Sequence, residues 1–293
     1  MIGEKPMDVS AALGLPPDQR LALLVRIGRA VTDEESNGIP DAEHALLVKA
    51  LVSLLEEGHG EAHTRLEIGE VLGLLGDPRL STPADADYWA HVDLPPQVGS
   101  AVQIGRFPVT NAEFQHFVDE GGYDDASLWT DAGWAWLKGV DDPWPLRAAA
   151  ASSGPFVVPN QPVVGVTWYE ASAYAAKHAS RLPRFDERLW VVRGEERRPY
   201  PWGSPFGAGN ANTREEVLRR PCAVGLFVND CTPEGVRDLA GNVAEWNLDG
   251  VGDQRWIHPG AWDQPSMAAW AKARFLETPE SRWAGLGFRL ARD

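Results

Sequence analysis

The residues best suited to chemistry lie in one stretch, Gly235-Val236-Arg237-Asp238-Leu239-Ala240-Gly241-Asn242-Val243-Ala244-Glu245-Trp246. Two carboxylates, Asp238 and Glu245, bracket a Gly241-Asn242 turn, and a tryptophan follows at once. Glycine takes positive φ freely, and asparagine tolerates it better than most residues. A tight turn here can therefore aim several carbonyls at one point while the two acids close a cage. Such an oxygen-rich cage suits a hard cation such as calcium. The same residues also read as a tight turn whose carboxylates accept backbone N–H groups, since calcium loops usually carry more acids.

Other catalytic patterns are absent. Ser152 and Ser153 lack the strand-turn-helix context of a nucleophile elbow, and no Gly-rich phosphate loop precedes a helix. Two cysteines, Cys222 and Cys231, cannot build a disulfide framework. With no charged-then-apolar leader in Met1–Ser10, they read as free thiols in a reducing cytoplasm. A formal charge of −15 argues against nucleic acid, and no apolar run of about 18 residues suggests a membrane span. The first 97 residues hold 17 acids and 7 bases, so the acidity sits mostly at the front. Thirteen tryptophans, all but Trp89 beyond residue 98, point to a fold that fills gaps between loops with large rigid rings.

The elements that must position these residues fall into two parts. Residues 1–80 read as a helical segment. Pro16-Pro17-Asp18 precedes Leu21, Leu24, Val25 and Gly28 at helical period. A loop from Thr32 to Pro40 leads to Asp41, which is suited to cap a second helix bearing Leu46, Leu47, Ala50, Leu51, Leu54 and Leu55. After Gly58-His59-Gly60 a third helix runs to Gly76-Asp77-Pro78 and closes in the manner of a helical repeat. Residues 81–97 hold three prolines and no period, and read as a linker. In 98–293, helices are expected from Thr110 or Asn111 to about Asp119, from Tyr169 to Ala179 and from Asp186 to Arg193, among short strands and loops.

Eight landmarks in order resemble the formylglycine-generating enzyme (sulfatase-modifying factor) superfamily: Phe107-Pro-Val-Thr-Asn111, Gly121-Gly-Tyr123, Trp129 to Trp134, Pro162 to Trp168, Arg181-Leu-Pro183, Tyr200-Pro-Trp-Gly203, the Asp238–Trp246 stretch and Gly287-Phe-Arg-Leu290. The resemblance implies an α+β fold: an irregular, C-type-lectin-like domain, here preceded by a small all-α segment. It departs from the family at the usual first strand, which is expected to be lost or shortened. It also implies two structural calcium sites, one from the side chains of Asp238 and Glu245 with the carbonyls of Gly241 and Val243, the other from Asn212 and Thr213 with Glu215 or Glu216 standing in as the acid.

Family oxidases hold copper through two cysteines in the C-terminal segment. No cysteine or histidine lies between Trp262 and Asp293, so neither copper nor formylglycine-generating activity is expected. The sulfoxide-synthase branch holds iron with three histidines on a helical domain. His44, His59 and His63, with Glu67, do not match that spacing, so no iron is expected. The resulting expectation is a non-catalytic binding module, with a protein partner on the helical segment and a ligand at Trp262, Trp270, Arg274, Arg282 and Trp283. An enzyme with altered chemistry in the same groove, using His258, Asp263 and Arg274, is the alternative. A retroelement-diversified binding protein is a third reading.

Overall fold

A computed structural model describes residues 9–32, 39–58, 60–140 and 156–293; Ser152, Ser153 and His59 lie outside them, as does most of the loop before Pro40. Four helices open the chain: α1 (Val9–Leu13), α2 (Pro17–Thr32), α3 (Asp41–Glu56) and α4 (Ala62–Leu75). On α3 the expected stripe is buried at Leu47, Leu51, Leu54 and Leu55. Asp41 is not the cap. It sits inside the first turn after Pro40, where its charge meets the helix dipole. Gly28 lets α2 and α4 close up, since a Cβ there would lie 2.1 Å from Val71 Cγ1.

The apolar face of these helices is not left open for a partner. Leu218, Cys222, Leu226 and Phe227 from far along the chain complete its core. Polar contacts stitch the same seam: Arg65 Nη1 donates to the Leu226 carbonyl at 3.2 Å, and its guanidinium lies over the Phe227 ring. Asn160 Nδ2 donates to the Gly69 carbonyl at 2.9 Å and to Asp77 at 2.8 Å, and Arg220 pairs with Glu70.

The expectation that 81–97 is an irregular linker is corrected in part: of the two readings, a first strand lost or shortened, the short strand is found. Strand β1 (Trp89–Asp93) pairs antiparallel with β2 (Ala101–Gly105), which in turn pairs with β7 (Ala291–Arg292). Trp89, Ala90 and Val92 are buried, whereas His91 and Asp93 are exposed, so a short half-buried strand lies between the flanking prolines. Helices α5 (Asn111–Asp119), α6 (Asp131–Lys138), α7 (Trp168–Lys177) and α8 (Phe185–Arg193) follow. Thr110 and Thr167 start α5 and α7 with reciprocal capping boxes to Glu113 and Glu170.

The second sheet has the order β5-β4-β3-β6, built from β3 (Ala244–Val251), β4 (Gln254–His258), β5 (Phe275–Glu277) and β6 (Leu286–Gly287). Its β3–β6 pair is parallel and the others antiparallel. Between helices and sheet lies a core of Phe114, Phe117, Tyr174, Trp246 and Phe288, with Trp246 donating to the Val166 carbonyl at 3.0 Å. Mixed helices and two small sheets make the fold α+β, as expected. No helix among the described residues is long and apolar enough to cross a membrane.

Candidate functional site

The Asp238–Glu245 stretch forms its turn, but by a different division of labour. Asp238 (φ 54°) and Asn242 (φ 70°) take the left-handed conformation, not Gly241. Gly241 is required for close approach: a Cβ there would lie 2.6 Å from the Asn212 carbonyl oxygen. Asn242 then zips the turn to the helical seam. Its Oδ1 accepts from the Cys222 N–H at 2.9 Å, and its Nδ2 donates to the Cys222 carbonyl at 3.1 Å.

The four-oxygen cage does not form at Asp238, Gly241, Val243 and Glu245. Glu245, fully buried on β3, is held by two guanidiniums: Arg289 donates at 2.9 and 2.7 Å, and Arg188 of α8 at 3.1 Å. Burial alone would raise its pKa; the Arg289 and Arg188 charges overcome that and hold the carboxyl at about 2. Arg289 Nη2 also donates to the Asp238 carbonyl at 3.1 Å, so an arginine supplies the cation. The Asp238 carboxylate instead accepts from the Gly225 N–H at 2.7 Å. Beside it, buried Asp230 accepts from Leu239 and Ala240. Burial, then the Asp238 charge, pushes Asp230 up to about 7; burial pushes Asp238 up to about 6.

At the second expected site Asn212 and Thr213 are buried, and Asn212 Oδ1 has no hydrogen-bond partner among the described residues. The acids that were to join them are engaged elsewhere, Glu215 by the Ser266 N–H at 2.9 Å and Glu216 by the Gly209 N–H. Among the described residues no three histidine, cysteine, aspartate or glutamate side chains converge as a metal would need. His44 lies on α3 and exposed His63 on α4, while His59 lies outside the described residues.

The C-terminal segment separates its expected ligand residues. Arg274 stacks on Phe185 and Trp256, with ring distances of 4.6 and 4.3 Å. Arg282 lies over Trp136 and within 3.9 Å of buried Glu170. Trp270 is exposed beside Lys272. Trp262 meets the Trp283–Gly285 turn. Trp262 Nε1 donates to the Ala284 carbonyl at 3.0 Å, and a Cβ on Gly285 would meet both Asp263 Oδ1, at 2.9 Å, and Trp283 Nε1, at 3.4 Å. Phe156 packs edge-on to Trp262, and Phe275 stacks on Trp283.

The imagined trio of His258, Asp263 and Arg274 does not assemble either. His258 is fully buried, and burial holds its pKa well below the usual range. Its ring accepts from Gly260 at 3.4 Å and donates to the Trp270 carbonyl at 3.2 Å, a structural role. Asp263 is the residue left with chemistry to do. It is half-buried and its pKa is raised by that burial, against which a 3.4 Å bond from Gln264, its own backbone N–H and the Arg214 charge pull it down. Sequence reading undervalued it because its tryptophan neighbours come from both ends of the segment, and only the Gly285 turn joins them.

Comparison with known proteins now bears on this arrangement. Hercynine oxygenase of Mycolicibacterium thermoresistibile is 33% identical over 245 residues, covering 71% of this chain and 54% of that protein. The match therefore spans about half the length of that relative. The inactive C-alpha-formylglycine-generating enzyme 2 of Mus musculus is 30% identical over 64% of this chain and 74% of its own. Among solved structures, PvdO from Pseudomonas aeruginosa superposes with a TM-score of 0.51 at 22% identity, over 67% of this chain and 81% of that one. The expectation of a purely non-catalytic binding module is corrected by these likenesses, since several of the relatives are oxygenases. Relatives of both kinds, active and inactive, share the domain. Residues 95–293 match the sulfatase-modifying factor enzyme 1-like domain, and the chain belongs to that family.

Proposed function

We propose that the chain is an oxygenase-like enzyme that binds a small cationic substrate, hercynine or a chemically similar amine, in the groove of Trp262, Asp263 and Trp283. The observation that carries this reading is the identity with hercynine oxygenases, joined to a half-buried carboxylate that shares the Gly285 turn with the Trp283 indole N–H. A carboxylate near indole rings suits a methylated ammonium group, because a negative charge and ring quadrupoles attract the same cation. The chain's own contribution is to bind and orient: Asp263 meets the positive charge, while Trp262 and Trp283 exclude water. Both cysteines are unbridged, which agrees with work in a reducing cytoplasm.

The test is calorimetric titration of the purified chain with hercynine, together with oxygen uptake in the presence of hercynine and a thiol, with and without added ferrous iron. Wild type should bind and consume oxygen above the buffer control, and Asp263→Asn should weaken binding by about tenfold or more. Neither binding nor oxygen uptake in wild type would refute the proposal.

A further inference from the structure

Between the helical segment and the family domain lies a cleft of about 440 Å³, and no residue of the C-terminal groove lines it. Three arginines face it: Arg79, Arg106 and Arg237. Arg79 is already neutralised by Asp77, to which it donates at 2.9 and 2.6 Å. Arg106 is fixed without any acid, donating to the carbonyls of Asp87 and Glu234 at 3.0 Å each. Arg237 is pinned through its backbone, its N–H donating to Arg106 at 2.8 Å and its carbonyl accepting from Arg289 at 2.9 Å. Its guanidinium has no hydrogen-bond or ion-pair partner among the described residues.

Two guanidiniums thus face the cleft with no carboxylate in direct contact among the described residues; Arg237 acts on buried Asp238 only through its charge. Two exposed acids, Glu56 of α3 and Asp87, line it as well, and neither has an ion-pair partner among the described residues. A polyanion drawn to the arginines would meet those acids, and a simple cation would meet the arginines. A molecule with one charge of each sign satisfies both pairs: its carboxylate forms charge-assisted bonds to Arg106 and Arg237, and its ammonium faces Asp87 and Glu56. Phe107 supplies an apolar wall for a side chain. Gly225 keeps that wall in place. It sits at φ +69°, and a Cβ would lie 2.8 Å from Phe107 Cε1 and 3.4 Å from Arg237 Cδ.

We propose that this cleft binds a free amino acid. The proposal does not rest on the oxygenase reading. Because α3 forms one wall and the family domain the other, occupancy ties the two parts of the chain together.

The test is calorimetric titration of the full chain with each common L-amino acid at millimolar concentration. Any that binds is compared with its carboxylic acid lacking the amine and with its amine lacking the carboxyl. An amino acid should bind, and each half-molecule should bind about tenfold more weakly or worse. Arg237→Gln should weaken binding about tenfold. Asp87→Asn, at an exposed position, should remove the preference for the amino acid over its carboxylic acid. Unliganded melting of both variants should match wild type, showing that the loss is in the site. The proposal is overturned if no amino acid binds, if Arg237→Gln binds like wild type, or if the bare carboxylic acid binds wild type as tightly. Loss of amino-acid binding in Asp263→Asn would place the ligand in the other groove and overturn it equally.

Discussion

Replacing Glu245 by glutamine should unfold this protein's electrostatic centre from within. The carboxylate is fully buried, as are Arg188 and Arg289. Glutamine keeps the shape but leaves two buried guanidiniums without a counter-charge, and removing one partner of a buried pair costs about 3–5 kcal/mol. Linkage gives an independent figure. A drop from 4.5 to about 2 corresponds to about 3 kcal/mol of stability. Because the folded value is depressed, that contribution is present above the unfolded pKa and is lost as pH falls from about 4.5 through about 2. Arg289 is the stronger arm: two contacts and the Glu245 charge outweigh its burial and raise its pKa. Arg188, with one contact and Arg289 nearby, is lowered by burial. Urea unfolding at pH 7 should therefore show Glu245→Gln destabilised by about 3 kcal/mol, and Arg289→Met more destabilised than Arg188→Met. Calcium provides the discriminating arm. Since arginine already neutralises Glu245, wild-type melting should be the same in EGTA and in millimolar calcium. A loss below about 1 kcal/mol in Glu245→Gln would refute the reasoning, as would a calcium-dependent rise that disappears in that variant.

The buried acids beside this centre should act in the opposite pH window. Asp230 and Asp238, at about 7 and about 6 against an ordinary 3.8, contribute stability that is present at low pH and lost as pH rises through those values. Melting temperature should accordingly fall between about pH 4 and pH 7 and level off above, and Asp230→Asn should flatten the profile; an unchanged slope in that variant would exclude the pair as its source. Gly241→Ala drives a methyl toward the Asn212 carbonyl and should destabilise the chain by about 2 kcal/mol or more in urea unfolding; a neutral effect would mean the turn can open. Removing residues 1–80 exposes Leu218, Leu226 and Phe227, so the remaining chain should melt lower and bind a hydrophobic dye; an unchanged melt would show that the seam contributes nothing.

How much of this was legible in the sequence follows from what each signal depends on. Helical period reports which face is apolar, so the stripe on α3 and the start of α5 at Thr110 were readable from local sequence. It does not report what covers the face, and here the cover is Leu218 to Phe227, more than 140 residues away from α4. The position of strand β1 was missed because five residues between prolines carry little period, and its pairing with β2 is a tertiary fact. The motif at 238–246 was recognised, but two distant arginines decide its chemistry. Arg188 and Arg289 enter from α8 and from the loop before β7, and nothing in the local spacing of Asp238 and Glu245 announces them.

The same logic governs the groove. Large side chains counted along the C-terminal segment suggested one recognition surface, yet most of them satisfy one another: Arg274 covers Phe185 and Trp256, Arg282 covers Trp136, and Phe275 stacks on Trp283. Cations resting on aromatic faces are already paired, so they offer a ligand less than their composition suggests. The residues free to do work are those whose charge the fold has not answered. Asp263 is half-buried with no ion pair among the described residues, and Arg106 and Arg237 line one cleft with Asp87 and Glu56. Unanswered charge, not abundance of tryptophan or arginine, distinguishes the two candidate sites from the aromatic packing around them.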